Sequence, residues 1–193
     1  MRENQVFLEK LKTNNTFIEF FTDDTELKEF KYKNLNEYLD FFWKKYCNQR
    51  DSKENSSRNF NSTNGKVFET IFAFLLDRER KVILSMDEEV DNVKHVKPDF
   101  IVQGKNNSKI FFSLKTSIRE RWKQADWEAI KYKEKYSNSL CYIIMIDDED
   151  NEFTKLSEMV SDSELNLRID GVFMINSIEL NSLFEEKLST EKL

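Results

Sequence analysis

The feature that most constrains the fold is a change of period near residue 80. Before it, apolar residues recur at three- and four-residue steps, as in Leu35, Tyr38, Leu39, Phe42, Trp43 and Tyr46, the spacing of an amphipathic helix. A second helix, buried on most sides, follows Gly65 through Val67, Phe68, Ile71, Phe72, Phe74, Leu75 and Leu76. After it, short apolar runs of strand length alternate with helix-length stretches. Val82-Ile83-Leu84 predicts a strand. Asp99-Phe100-Ile101-Val102, opened by Pro98, predicts another, and Ile110 to Lys115 its hairpin partner across a Gly104-Lys105-Asn106-Asn107 turn. A helix is expected from about Ile118 to Tyr136, then a strand buried on both faces over Leu140 to Ile146, a helix over 152–160, a strand over 172–175 and a helix over 177–188. That order predicts an α/β protein with a central mixed sheet flanked by helices.

At 193 residues the chain suits one domain, because halving it would leave each part a thin core. The expected organisation is a helical N-terminal part (1–60) and a core (61–193). The polar stretch from Asn48 to Asn64 reads as a mobile connection between them. No run approaches the roughly 18 apolar residues of a membrane helix, and the charged first residues do not form a secretory signal. Cys47 and Cys141 stand apart, outside any metal-ligand spacing, and read as reduced, buried small hydrophobes of a cytoplasmic protein. His95 is the single histidine, so neither a zinc site nor a serine-type triad can be assembled around it.

A net charge of −6 argues against nucleic acid as a partner if taken alone. Phosphate affinity, however, follows local basic surface. Between Lys105 and Lys135 nine Lys or Arg stand against four acids, while the segment from Asp147 to Glu164 is acidic. The basic part also holds the residues of greatest chemical interest. Asp99 opens one strand of the hairpin and Lys115 closes the other, so both emerge at the same end. A lysine ending the buried strand Phe111-Phe112-Ser113-Leu114-Lys115 is costly unless paired with carboxylates. Carboxylates that hold Mg²⁺, with a cation beside them, are what phosphodiester hydrolysis near neutral pH requires.

Pro98-Asp99, fifteen intervening residues and Lys115 resemble the PD-(D/E)XK nuclease superfamily. One position departs from the pattern: Ser113 stands two before Lys115, where the superfamily has an acid. Glu128 lies thirteen residues beyond Lys115 on the following helix. The stretch Lys115-Thr116-Ser117-Ile118-Arg119-Glu120-Arg121-Trp122-Lys123-Gln124 followed by Glu128 resembles the EcoRII-type branch of type II restriction endonucleases, which carries the second acid on that helix. Gly65-Lys66-Val67-Phe68-Glu69 resembles the helix bearing a further acid in those enzymes. The resemblance covers about residues 58–146. It implies a restriction-endonuclease-like fold, catalytic residues Glu69, Asp99, Lys115 and Glu128, and Mg²⁺ held by Asp99, Glu128 and Glu69. It further implies DNA contacts from Arg119, Glu120, Arg121 and Lys123. Arginine forks onto guanine and a carboxylate accepts from cytosine, and the family reads C·G pairs with the equivalent triplet. A CC…GG palindrome in double-stranded DNA and a homodimer, or a higher homo-oligomer, are therefore expected.

Each residue also has a plainer reading. Asp99 suits a strand entry, Glu69 the solvated edge of a helix, and Glu128 a charged face shared with Lys131 and Lys135. Arg119-Glu120-Arg121 could be charge at a helix start, though two arginines there oppose the helix dipole. Trp122 and Trp127 read as packing residues, Ser113 as a small filler, Arg58 and Lys66 as solvated. Two other functions share the same fold: a repair or structure-selective nuclease, and an inactive DNA-binding module derived from a nuclease.

Overall fold

In the computed structural model of the chain the described residues are 4–21, 23–52, 61–90, 93, 96–117, 122–146 and 151–190. Five strands form one sheet in the order β1-β2-β3-β4-β5: β1 (Ile83–Met86), β2 (Phe100–Gln103), β3 (Lys109–Lys115), β4 (Ser139–Met145) and β5 (Gly171–Met174). The first three strands are antiparallel neighbours, whereas β3, β4 and β5 run parallel. Parallel neighbours need a crossover. These are α6 (Trp122–Lys135) between β3 and β4, and α7 (Glu152–Ser161) between β4 and β5. The expected mixed sheet is present, each strand within a residue or two of its predicted place.

Alternation of side chains sorts the sheet into two faces. Phe100, Val102, Ile110, Phe112, Leu114, Tyr142 and Ile144 join the large core under α5 (Asn61–Arg78) and α8 (Ile178–Glu186). Ile101, Phe111 and Cys141 pack instead with Ala129 and Tyr132 of α6, and Ile143 and Met145 with Ala125 of α6 and Leu156 of α7. By this parity Asp99, Ser113 and Lys115 belong to the α6 face. The hairpin turn holds Lys105–Asn107 in a single 3₁₀ turn with Asn106 and Asn107 left-handed. A Cβ at Gly104 would collide with Ser108 Oγ, which is why glycine stands there.

Helix α5 is apolar nearly all round because it is covered nearly all round. The sheet and α8 lie on one side, with Phe72 ringed by Phe100, Phe112 and Phe184 at centroid distances of 5.4–5.9 Å. On the other side are α1 (Gln5–Lys12), α2 (Asn15–Phe20), α3 (Thr25–Glu29) and α4 (Leu35–Ser52), whose buried faces join the same core. Asn4 ties this helical part to the sheet edge. Its amide donates to the Lys81 carbonyl at 2.8 Å and accepts from the Ile83 N–H at 2.9 Å, completing hydrogen bonds that edge strand β1 would otherwise lack.

The polar connection expected from Asn48 to Asn64 is shorter than composition predicts. Helix α4 runs on to Ser52 and α5 starts at Asn61; residues 53–60, Arg58 among them, lie outside the described residues. Tyr46 donates to Asn64 Oδ1, pinning the polar ends of the two helices together. Trp127 is 42% exposed and is not the packing residue expected, whereas Trp122 does pack against the α6–α7 cluster. Cys141 is buried and Cys47 half-buried, and neither is in a disulfide.

Candidate active site

The hairpin geometry brings Asp99 and Lys115 together. Strand β2 begins at Phe100, opposite Phe112, so Asp99 stands just before the strand and across from Ser113. Asp99 Oδ2 accepts the Leu114 N–H at 2.6 Å and faces Lys115 Nζ at 3.7 Å. Its carboxylate is thus aimed back over the hairpin end, which a strand-entry role would not require.

Glu128 reaches the same place from α6. It is 5% exposed, and Gln124, one turn earlier, donates to its Oε1 at 2.8 Å. Burial raises its pKa; the Gln124 hydrogen bond and the nearby Lys115 charge work against that rise, and the Asp99 charge adds to it. Glu128 therefore lies within the fields of both hairpin residues. The plainer reading as a charged helix face fails, because Lys131 pairs with Glu134 at 3.0 Å. Ser113, buried on the α6 face, is the small residue beneath this arrangement.

Glu69 comes from the opposite layer. It projects from α5, is 9% exposed rather than solvated, and its pKa is pushed up to about 7. Burial is the main cause; Lys66 pulls the value down and the charges of Asp99 and Asp87 push it up. All four expected catalytic positions are thus electrostatic neighbours at one end of the β2–β3 hairpin.

Two residues here escape the sequence reading. Lys66, expected to be solvated, donates to Glu69 Oε2 at 2.8 Å and to Asp87 Oδ2 at 3.1 Å. Asp87 follows β1 in a left-handed conformation (φ 50°), and its N–H donates to the Asp99 carbonyl at 3.1 Å. Burial works to raise Asp87, yet its lysine partners Lys97 and Lys66 hold it below the ordinary carboxylate value. A Lys three residues before a Glu on a helix was a usable signal. The approach of Asp87 was not, since it depends on how β1 pairs with β2.

Arg119, Glu120 and Arg121 lie outside the described residues, as does His95. Lys123 is exposed in the first turn of α6.

Among solved structures, two resemble the chain over most of its length. One is described as the restriction endonuclease PspGI–substrate DNA complex: TM-score 0.54 and 17% identity over 94% of this chain and 90% of that one. The other is the type IIP restriction endonuclease Kpn2I, at TM-score 0.52 and 12% identity over 94% of this chain and 73% of that one. The fold is restriction-endonuclease-like. No protein-family model matches the chain, and no curated protein does. The likeness lies in backbone architecture, at identities too low to carry side-chain roles across. No helix among the described residues is long and apolar enough to cross a membrane.

The site offers hard oxygen donors suited to Mg²⁺. Among the described residues no three Asp, Glu, His or Cys side chains stand close enough to grip an ion together. Mg²⁺ needs no such cage: it keeps several waters and is held by one or two carboxylates plus substrate phosphate. Asp99 and Glu128, near one another and compensated by the Lys115 ammonium among the described residues, fit that demand.

Proposed function

We propose that the chain is a Mg²⁺-dependent, site-specific endonuclease acting on double-stranded DNA, of the EcoRII-type branch of type II restriction enzymes. The observation that carries this reading is the meeting of Asp99 and Lys115 from the hairpin with buried Glu128 from α6, where Ser113 leaves the strand without its acid. The fold shared with two restriction endonucleases, one described with its substrate DNA, supports it.

In this reading Asp99 and Glu128 hold the ion, with Glu69 behind them. When bound, the ion would supply Lewis-acid polarisation of the phosphate and would ease deprotonation of the attacking water. The Lys115 ammonium lies beside the Asp99 carboxylate, where it orients the attacking water and offsets negative charge growing on the phosphoryl oxygens. Water adds to phosphorus as the P–O3′ bond breaks, and the leaving 3′ oxygen takes up a proton. The products are 5′-phosphate and 3′-hydroxyl ends. Arg119, Glu120 and Arg121 read adjacent C·G pairs of a CC…GG palindrome, with Lys123 on the backbone, and a two-fold site is met by a homodimer.

The test is digestion of several sequenced plasmids with Mg²⁺. Discrete bands are expected, with ends mapping to one C·G-containing palindrome, and EDTA abolishes them. Lys115→Ala lowers the cleavage rate by on the order of 100- to 1000-fold, the scale for removing one transition-state charge donor. A smear, or cutting undiminished in the variant, overturns the assignment.

A further inference from the structure

Beside the Asp99–Glu128 pair lies a second group of charges, of which the proposed reaction uses Glu69 alone. It comprises Glu69 from α5 and Asp87 from the end of β1, with the Lys66 ammonium between them at 2.8 and 3.1 Å. Asp87 keeps its second oxygen on Lys97 Nζ at 3.0 Å. The left-handed backbone at Asp87 turns its carboxylate toward α5, while its N–H holds the Asp99 carbonyl at 3.1 Å. The group is therefore fixed to the same backbone that places Asp99, and Glu69 lies within the field of Asp99.

The charges of the two halves differ. With both carboxyls ionised, Glu69 and Asp87 are matched by Lys66 and Lys97, and among the described residues that half is neutral. Among the described residues Asp99 and Glu128 face the single charge of Lys115, so that half carries more acid than base there. Phosphodiesterases that use two ions space them about 3.5–4 Å apart and need carboxylates free to bind each. Glu69 and Asp87 are the carboxyls through which a second divalent ion beside that pair could be held, and an ammonium already lies between them.

We infer that Lys66 is a built-in replacement for a second divalent cation, so that each chain takes one ion, at Asp99 and Glu128. This rests on the metal-dependent reading above and adds the number of ions to it. Lys66 is a positioning residue: it holds Glu69 and Asp87 as a neutral wall beside the ion without touching the reacting atoms.

Mn²⁺ titration, with free ion counted by electron paramagnetic resonance, tests this without recourse to cleavage. The full chain is titrated alone and with a non-cleavable duplex. The native chain is expected to bind one Mn²⁺, and Asp99→Asn none. Lys66→Met, a change of similar length at a site 38% exposed, is expected to bind two, with spectral broadening from coupled ions. Adding Asp87→Asn to that variant returns the count to one, and Lys66→Arg, which keeps the charge, stays at one. Should Lys66→Met fail to fold by circular dichroism, Lys66→Gln is read in its place. Two ions in the native chain, or one in the neutral Lys66 variants, overturns the role of Lys66 alone. No Mn²⁺ in the native chain under either condition overturns the metal-dependent reading itself.

Discussion

Glu69 shows what burial does to one carboxyl in this site. Its folded pKa, about 7, lies above the ordinary value of 4.5. A group raised in this way binds more protons when folded, so its contribution is fully present below about pH 4.5 and is lost as the pH climbs through 7. Glu69→Gln removes that loss. Between pH 5 and 7.5, without divalent ions, the stability of the variant relative to the native chain rises by roughly 1–3 kcal/mol. Urea unfolding at each pH measures the shift, and an unchanged difference across that window refutes it. Lys115 and Glu128 are informative for another reason. Each is a charge brought into apolar surroundings, and each meets an opposite or hydrogen-bonding partner there. Lys115 could be picked out from sequence because it ends an apolar strand. For Lys66 the spacing could point to Glu69 but not to Asp87, an acid 21 positions away.

At the scale of elements, the site is made by three structures meeting at one end of the sheet. The β2–β3 hairpin supplies Asp99 and Lys115, α6 supplies Glu128, and α5 supplies Glu69. Helix α5 is held in place from both sides, so its outer supports matter to the site even though they lie far from it. Asn4 is the clearest of these supports. Asn4→Ala leaves a buried carbonyl at Lys81 and a buried N–H at Ile83 without partners, at about 1–3 kcal/mol for each group stranded. A loss of about 2–4 kcal/mol in denaturant unfolding is expected, while a change below about 0.5 kcal/mol would show the edge to be solvated instead. The elements themselves were mostly legible. Strand and helix periods placed β2, β3, β4 and α6 closely, whereas the ends of α4 and α5 were hidden because polar residues close helices as readily as they fill loops.

For the whole molecule, charge is distributed unevenly rather than summed. The chain carries −6, yet the segment from Lys105 to Lys135 is basic and leads into the hairpin end and α6 that carry the site. If that surface meets the phosphate backbone, affinity for a duplex falls steeply with salt, by about tenfold or more between 50 and 200 mM for three or more neutralised phosphates. Fluorescence anisotropy with a labelled duplex in Ca²⁺ checks this; an affinity indifferent to salt would remove DNA as the partner of this face.

Sequence alone determined the order of helices and strands, the mixed sheet and the meeting of Asp99 with Lys115. These are local matters, set by period and by a hairpin that brings together Asp99 and Lys115 across fifteen intervening residues. Tertiary structure alone decided that Glu69 is buried, that Glu128 is matched by Gln124 rather than by the lysines beyond it, and that Lys66 lies between Glu69 and Asp87. The reason is that a carboxyl's environment is set by whatever packs over it. In this protein the packing comes from layers on opposite faces of the sheet, joined by contacts that no spacing within one segment can reveal.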